Sequence, residues 1–229
     1  MNRAVKFYDD SEAIGEERAL SRVRPAADTP KSLRTRARIL DSAMRLFVEI
    51  GYHAATNARI AEAAGLTRGA MLYHFPDREA LVEAVVPHIQ AARAKLLQSA
   101  VDDAPPGADR IDHAIDSYWG LLSQPPFVAF AELESAARTD ESLRVRLASA
   151  AAAFDRAQMG DHLFELIQGA EGPRFQASRD LARFLLEGLA QAQLSYDAEA
   201  RTKRLLAIVK RAAHMLNRKA SGLDLWPEG

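Results

Sequence analysis

Residues 56–75 have the sequence TNARIAEAAGLTRGAMLYHF, the most informative stretch of the chain. Its pattern predicts two short helices, 56–64 and 67–75, joined by Gly65 and Leu66. Each helix begins at a threonine, whose hydroxyl can accept a hydrogen bond from a backbone N–H group that the first turn leaves unpaired. The glycine between them suits a tight turn between steeply crossing helices. The stretch therefore predicts a helix-turn-helix.

The apolar residues of these two helices predict which side of each faces the protein. The inward positions are Ile60, Ala61 and Ala64 on the first helix, and Met71 and Phe75 on the second. The opposite face of the second helix then carries Arg68, Gly69 and Tyr73. Arginine can bond guanine through two hydrogen bonds, glycine lets the backbone approach base edges, and a tyrosine hydroxyl can bond phosphate. This outward face therefore predicts contact with DNA.

The rest of the chain has the three- and four-residue apolar spacing of amphipathic helices. One helix ends at Gly51, and Asp77 is placed to cap a long helix that extends to about Ala100. The predicted buried side of this long helix holds Leu81, Val85, Ile89, Ala92 and Leu96. Further helices are predicted at residues 109–122, 127–137, 141–168, 177–194 and 198–217, and no strand is predicted. The predicted fold class is all-α, with about nine helices.

These helices predict two structural units. Residues 31–78 form an N-terminal three-helix helix-turn-helix domain, and residues 79–219 form a larger helical bundle. Residues 1–30 are predicted to be a flexible N-terminal arm, because prolines near its end separate any helix there from the rest of the chain. Residues 220–229 form a tail.

Composition narrows the class of protein. Apolar residues make up 48% of the 229 residues, which is ample for a core, yet no run is long enough to span a membrane. The chain has no cysteine, which excludes disulfides and thiolate metal sites and fits a cytoplasmic protein. The net charge is only −1, but Lys and Arg outnumber Asp and Glu by ten to six within residues 31–95. This local excess permits nucleic-acid binding.

Residues 36–81 resemble the DNA-binding domain of the TetR/AcrR family of transcription regulators. The shared positions are Arg36, Ile39, Leu40, Ala43, Phe47, Gly51, Tyr52, Thr56, Ile60, Ala61, Ala64 to Gly69, His74, Phe75 and Arg78 to Leu81. The resemblance implies a regulator, usually a repressor, that binds double-stranded palindromic operator DNA as a homodimer. It further implies release by a small-molecule inducer, and neither enzymatic activity nor a cofactor.

The resemblance also implies roles for individual residues, with the second short helix lying in the major groove. Base edges would be approached by Arg68, Gly69 and Ala70. Phosphates would be held by Thr56, Thr67, Tyr73, His74 and Arg78. The groove edge would be reached from the start of the first short helix by Asn57, Ala58 and Arg59. For His74, capping the helix or packing beside Phe75 is an equal alternative.

For the bundle, the resemblance implies dimerisation through the last two helices and a small, mostly apolar inducer. The apolar stripes of those helices suit a four-helix seam between subunits, or else ordinary core. They comprise Leu181, Phe184, Leu185, Gly188, Leu189 and Ala192, then Leu205, Ile208, Val209, Ala212 and Leu216. The large side chains that could line an inducer pocket are Tyr118, Trp119, Phe127, Phe130, Phe154 and Phe184.

Two other classes of function are weighed against this one. An enzyme is disfavoured, because the chain has no Gly-x-Ser-x-Gly, phosphate-binding glycine loop or His-Glu-x-x-His motif. A metal could be held by one helical face with Asp109, Asp112, His113 and Asp116, or by His162 and Glu165, although a solvated charged face is the commoner outcome. A helical receptor that has lost DNA binding is disfavoured by the intact Thr67-Arg68-Gly69 run.

Overall fold

The computed structural model describes residues 29–154, 173–192 and 196–217. Within these ranges the chain forms nine α-helices and no strand, so the predicted all-α fold class is confirmed. The helices are α1 (Pro30–Ile50), α2 (Asn57–Ala63), α3 (Arg68–His74), α4 (Arg78–Asp102), α5 (Arg110–Leu121), α6 (Pro125–Ala137), α7 (Glu141–Phe154), α8 (Pro173–Gln191) and α9 (Ala198–Asn217). The predicted tail, and the predicted arm up to residue 28, lie outside the described residues.

Side-chain caps fix where the helices of the helix-turn-helix begin. The hydroxyls of Thr56 and Thr67 accept hydrogen bonds from the backbone N–H three residues ahead, at 3.4 and 3.1 Å. The carboxylate of Asp77 does the same for α4 at 2.7 Å. Gly65, between α2 and α3, has a φ of +63°, which a glycine adopts without strain. These caps and this turn confirm the local predictions from the sequence.

One apolar core runs through the three-helix unit and into the bundle. Helix α1 packs against α4 and α6, and α4 packs against α6 and α7. The fully buried side chains of this core include Ile39, Phe47, Phe75, Leu81 and Leu133. Burial of each side chain of this size contributes ~1.5–3 kcal/mol. The boundary predicted between residues 78 and 79 therefore divides the chain but not the core.

A second, smaller core joins the far end of α4 to α5, α8 and α9. Its buried residues include Leu97, Ile115, Tyr118, Leu186 and Val209. Helices α8 and α9 pack closely against each other, and both contact α5. None of the nine described helices combines the length and the hydropathy that crossing a bilayer requires.

Prolines begin two helices that the sequence analysis started too late. Helix α6 begins at Pro125, where a break was predicted, and α8 begins at Pro173 instead of Ala177. The first residue of a helix has no intrahelical partner for its N–H, so proline is well suited to that position. A proline pair was thus taken as a separator when it is the first turn itself.

The buried face of α4 follows a different course from the prediction after Ile89. It continues through Arg93 and Leu97, each four residues further on, whereas Ala92 and Leu96 are only half-buried. The reason is that aromatic rings of α6 accept the Arg93 guanidinium, which lies 4.3 Å from the centroid of the Phe130 ring.

Gly51 lies at the end of α1, pressed against α6. Its φ is +78°, a region that L side chains rarely adopt. A Cβ at this position would lie 2.9 Å from Oε1 of Glu132. The same oxygen accepts a hydrogen bond from the backbone N–H of Tyr52 at 3.2 Å. Glu132 therefore ties the turn after α1 to the bundle.

We predict that Gly51→Ala lowers the free energy of unfolding by ~1–3 kcal/mol, because both the positive φ and the contact with Glu132 oppose a methyl group. Gly120→Ala is the matched control, since a Cβ there meets no atom within 4 Å inside α5. It should raise the free energy of unfolding by ~0.5–1 kcal/mol. Urea unfolding followed by circular dichroism measures both changes, and an unchanged midpoint for Gly51→Ala would contradict the prediction.

Candidate functional site

The outward face of α3 is exposed along its length. Arg68 and Gly69 are exposed at its first turn, and Tyr73 is 64% exposed near its end. On the opposite face Met71 and Phe75 are fully buried. The face that the sequence assigned to DNA therefore points away from the protein core.

The predicted contact residues around α3 differ in how freely they can reach a ligand. Thr56 and Thr67 are exposed, although their hydroxyls also cap helices. Arg59 is exposed, and its Nη1 donates to the backbone oxygen of Ala54 at 3.1 Å. Asn57 is half-buried, and its Oδ1 is buried without a hydrogen-bond partner. Ala70 is half-buried beside Met71, so only its outer edge faces solvent.

Arg78 binds the protein's own backbone, which corrects its predicted role as a phosphate ligand. Its Nη1 donates to the oxygen of Ala55 at 2.7 Å, and its Nη2 donates to the oxygen of Tyr52 at 2.9 Å. The guanidinium also lies 4.4 Å from the centroid of the Tyr52 ring. The turn after α1 presents these carbonyls beside the start of α4, and Arg78 is the donor placed to bind them.

A second arginine supports the end of α3. Nη1 of Arg36 donates to the backbone oxygen of His74 at 3.2 Å, and its guanidinium lies 4.3 Å from the centroid of the Phe75 ring. Burial, followed by the charge of Arg36, lowers the pKa of His74 below its ordinary value of 6.5. The neutral imidazole is therefore favoured at pH 7. His74 would meet a phosphate as an N–H donor and not as a cation.

A cavity of about 150 Å³ lies between α4, α6 and α8. Two of the predicted pocket residues, Phe127 and Phe130, line it. Three charged residues that the sequence analysis did not assign to a pocket, Arg93, Glu134 and Glu187, line it as well. Arg93 could have been found, because it lies midway between Ile89 and Leu97 on the apolar stripe of α4 at spacings of four.

The other predicted pocket residues lie elsewhere. Tyr118 is buried in the second core, where its hydroxyl donates to Oε1 of Glu187 at 2.7 Å. Burial, followed by the charge of Glu187, raises the pKa of Tyr118 far above its ordinary value. Trp119 is half-buried against the same core, and the side chain of Phe154 lies outside the described residues. The prediction for Phe184 is wrong: it is 66% exposed, because α8 turns Leu186 inward instead.

An exposed apolar surface covers the outer side of α8 and α9. We define this outer apolar surface by its five large exposed side chains, Leu181, Phe184, Leu185, Leu205 and Ile208. All five belong to the predicted dimer stripes. Val209 and Leu216, also assigned to those stripes, are buried in the chain's own core, so for them the alternative of ordinary core is the correct one.

Acidic residues of α5 pair with basic residues of α9. His214 Nε2 lies 3.0 Å from Oδ1 of Asp112 and 3.4 Å from Oδ1 of Asp109, and Nζ of Lys210 donates to Asp116 at 2.6 Å. Asp109, Asp112 and His214 could offer ligand atoms to one cation. His113, included in the predicted set, instead lies within hydrogen-bonding distance of the backbone oxygen of Ala100. His162 and Glu165 lie outside the described residues.

We predict that Arg78→Met lowers the free energy of unfolding by ~2–4 kcal/mol, because it leaves two backbone carbonyls without their charged donor. Arg45→Met, at an exposed pair with Glu49 on α1, is the control and should change stability by less than ~0.5 kcal/mol. Thermal and urea unfolding in the absence of DNA measure both variants. A residue used only for phosphate binding would leave stability unchanged, and that result would restore the original assignment.

Comparison with known proteins matches this geometry to a family. Residues 39–85 match the family model described as bacterial regulatory proteins of the tetR family. The transcriptional repressor AcnR of Corynebacterium efficiens is 33% identical over 128 residues, which cover 52% of this chain and 66% of AcnR, just under two thirds of its length. The matched regions include α2, α3 and the start of α4.

Solved structures agree over a longer range. GusR of Salmonella enterica superposes with a TM-score of 0.58 at 21% identity, over 83% of this chain and 98% of GusR. The multidrug-binding protein EbrR in complex with proflavin superposes with a TM-score of 0.51 at 19% identity, over 78% of this chain and 99% of EbrR. At these identities the similarity establishes the fold, and AcnR, the relative matched by sequence, is a transcription regulator and not an enzyme. The chain belongs to the TetR family of bacterial regulatory proteins.

Proposed function

We propose that this protein is a ligand-responsive transcriptional repressor that binds a palindromic DNA operator as a homodimer. The observation that carries the proposal is the exposed face of α3, with Arg68, Gly69 and Tyr73, opposite a fully buried apolar face. In this proposal residues 31–78 bind DNA, and residues 79–219 bind the partner subunit and the inducer.

The residues on α3 suit a helix inserted into a major groove. The Arg68 guanidinium can bond the O6 and N7 atoms of guanine, and Gly69 adds no side chain that would hold the backbone away. Tyr73 and the helix caps would bond phosphates and set the register. Because phosphate contacts release counterions, the affinity should fall steeply as salt rises.

Dimerisation would occur through the outer apolar surface of α8 and α9. Phe184 is 66% exposed and Ile208 is 61% exposed, on two helices that already pack against each other. Exposed large apolar side chains that cluster mark interaction surfaces more often than plain solvent faces. Two such helices from each subunit would form a four-helix seam. The two copies of α3 would then meet half-sites one helical turn apart, roughly 34–36 Å.

The inducer would bind in the cavity between α4, α6 and α8. Helix α6 contributes Phe127 and Phe130 to the cavity, and on another side it contacts the turn after α1 through Glu132. A ligand that shifts α6 would therefore also shift the helix-turn-helix. EbrR, which shares the fold, is known in complex with the small molecule proflavin.

We predict that Arg68→Ala weakens binding to operator DNA and lowers the discrimination between operator and scrambled DNA by ~1–3 kcal/mol. The matched control is Arg144→Ala, an exposed arginine on α7 that pairs with Glu141 of the same helix. Gel-shift titrations against the DNA upstream of the protein's own gene, at two salt concentrations, measure affinity and its salt dependence. Unchanged discrimination by Arg68→Ala would rule out base contact by this residue, and the absence of salt-sensitive binding by the wild-type protein would overturn the function.

We predict that Phe184→Glu converts the dimer to a monomer, because a carboxylate in the centre of the outer apolar surface would be buried without a partner. Val145→Glu on α7 is the control, since Val145 is 63% exposed but lies away from α8 and α9. Sedimentation equilibrium gives the molecular mass of each variant. A dimeric Phe184→Glu protein would place the interface elsewhere.

A further inference from the structure

The cavity between α4, α6 and α8 contains a buried positive charge. Arg93 is only 4% exposed, and its guanidinium lies 4.8 and 4.3 Å from the ring centroids of Phe127 and Phe130. Burial lowers the pKa of Arg93, but from an ordinary value of 12.5, and an arginine stays charged in proteins. A cation thus forms part of an otherwise aromatic cavity wall.

The acidic residues of the cavity do not reverse this charge. Glu187 already accepts hydrogen bonds from the Tyr118 hydroxyl at 2.7 Å and from Nε of Arg183 at 2.9 Å. Glu134 is exposed, so water screens its charge. Arg93 is buried, where charges act more strongly than in water. The interior of the cavity is therefore positive on balance.

Gln90, one turn before Arg93, shows which hydrogen-bonding group the site lacks. Its Oε1 accepts from Nη1 of Arg93 at 2.8 Å, which fixes the orientation of the amide. Its Nε2 is buried without a hydrogen-bond partner, and Gln90 as a whole is 8% exposed. An unsatisfied buried donor is costly and calls for an acceptor. The missing group at this end of the cavity is thus an oxygen that accepts hydrogen bonds.

We propose that the cavity binds a small organic acid, with its carboxylate on Arg93 and its apolar body against Phe127 and Phe130. This proposal rests on the inducer role proposed above and adds the chemical class of the ligand. The volume of about 150 Å³ lies below the ~300–1,000 Å³ of sites for drug-sized ligands, so the acid has a single ring or a short chain. A guanidinium binds a carboxylate through two parallel hydrogen bonds, which fixes the orientation of the ligand as well as its charge.

The test uses the full-length protein and three probes of nearly equal size and different charge: benzoate, benzamide and benzylamine. Isothermal titration calorimetry should give saturable binding of benzoate in the millimolar range or tighter, and binding of the other two that is weaker by roughly tenfold or more. Equal or tighter binding of benzylamine or benzamide would overturn the proposal. No saturable heat with benzoate up to ~10 mM would overturn it as well.

Three variants assign the binding to Arg93. Arg93→Met should weaken benzoate binding by roughly tenfold or more, with circular dichroism used to check that the variant is folded. Gln90→Glu keeps the buried arginine but gives it an internal carboxylate, so it should abolish benzoate binding even if Arg93→Met fails to fold. Lys95→Met, at an exposed position on the same helix, is the control and should bind benzoate like the wild type. Benzoate binding that survives Gln90→Glu unchanged would overturn the proposal.

The calorimetric result and the proposed function can fail separately. Titration of benzoate into the protein–operator complex should release the DNA, and the Gln90→Glu complex should resist release. A wild-type protein that binds no operator would overturn the proposed function, while the calorimetry without DNA would still decide the ligand class.

Discussion

Burial of Met71 and Phe75 fixes the direction in which α3 faces, and the proposed DNA interface depends on it. A helix of seven residues is too short to be stable alone, so packing must hold it. These two side chains are four residues apart and therefore lie on one face, which leaves Arg68 and Tyr73 on the other. Arg36 adds a hydrogen bond to the last turn of α3. The short helix is thus presented to solvent as a rigid element of a larger core.

The same core connects the helix-turn-helix to the bundle. Glu132 on α6 accepts a hydrogen bond from Tyr52, and Arg78 at the start of α4 binds the Tyr52 carbonyl from the other side. The turn after α1 is therefore held between the two helices that also wall the cavity. Apolar packing alone would permit sliding, whereas directional bonds to a single turn specify one relative position. A change in α6 or α4 thus reaches the DNA-binding unit through bonds as well as contacts.

The regulatory half has an unusual distribution of side chains. A charged residue, Arg93, is buried between aromatic rings, while Phe184 and Ile208 are exposed. Buried charges and clustered exposed apolar residues are both unfavourable in an isolated chain. Each is explained when a second molecule supplies the missing contacts, a ligand inside the cavity and another subunit outside. Both features therefore agree with a protein that acts as a liganded dimer.

The sequence by itself determined the helical class, the caps at Thr56 and Thr67, and the face of α3 that stays outside. These features are local: they depend on residues within one or two turns, and the spacing of apolar side chains displays them directly. Only the tertiary structure decided that Arg78 binds carbonyls 23 and 26 residues away, that Arg93 is buried, and that Phe184 is exposed. Periodicity shows that a helix has an apolar face, but it does not show which neighbour covers that face. That choice belongs to contacts between residues distant in sequence, and for arginine and phenylalanine it decides between core, surface and site.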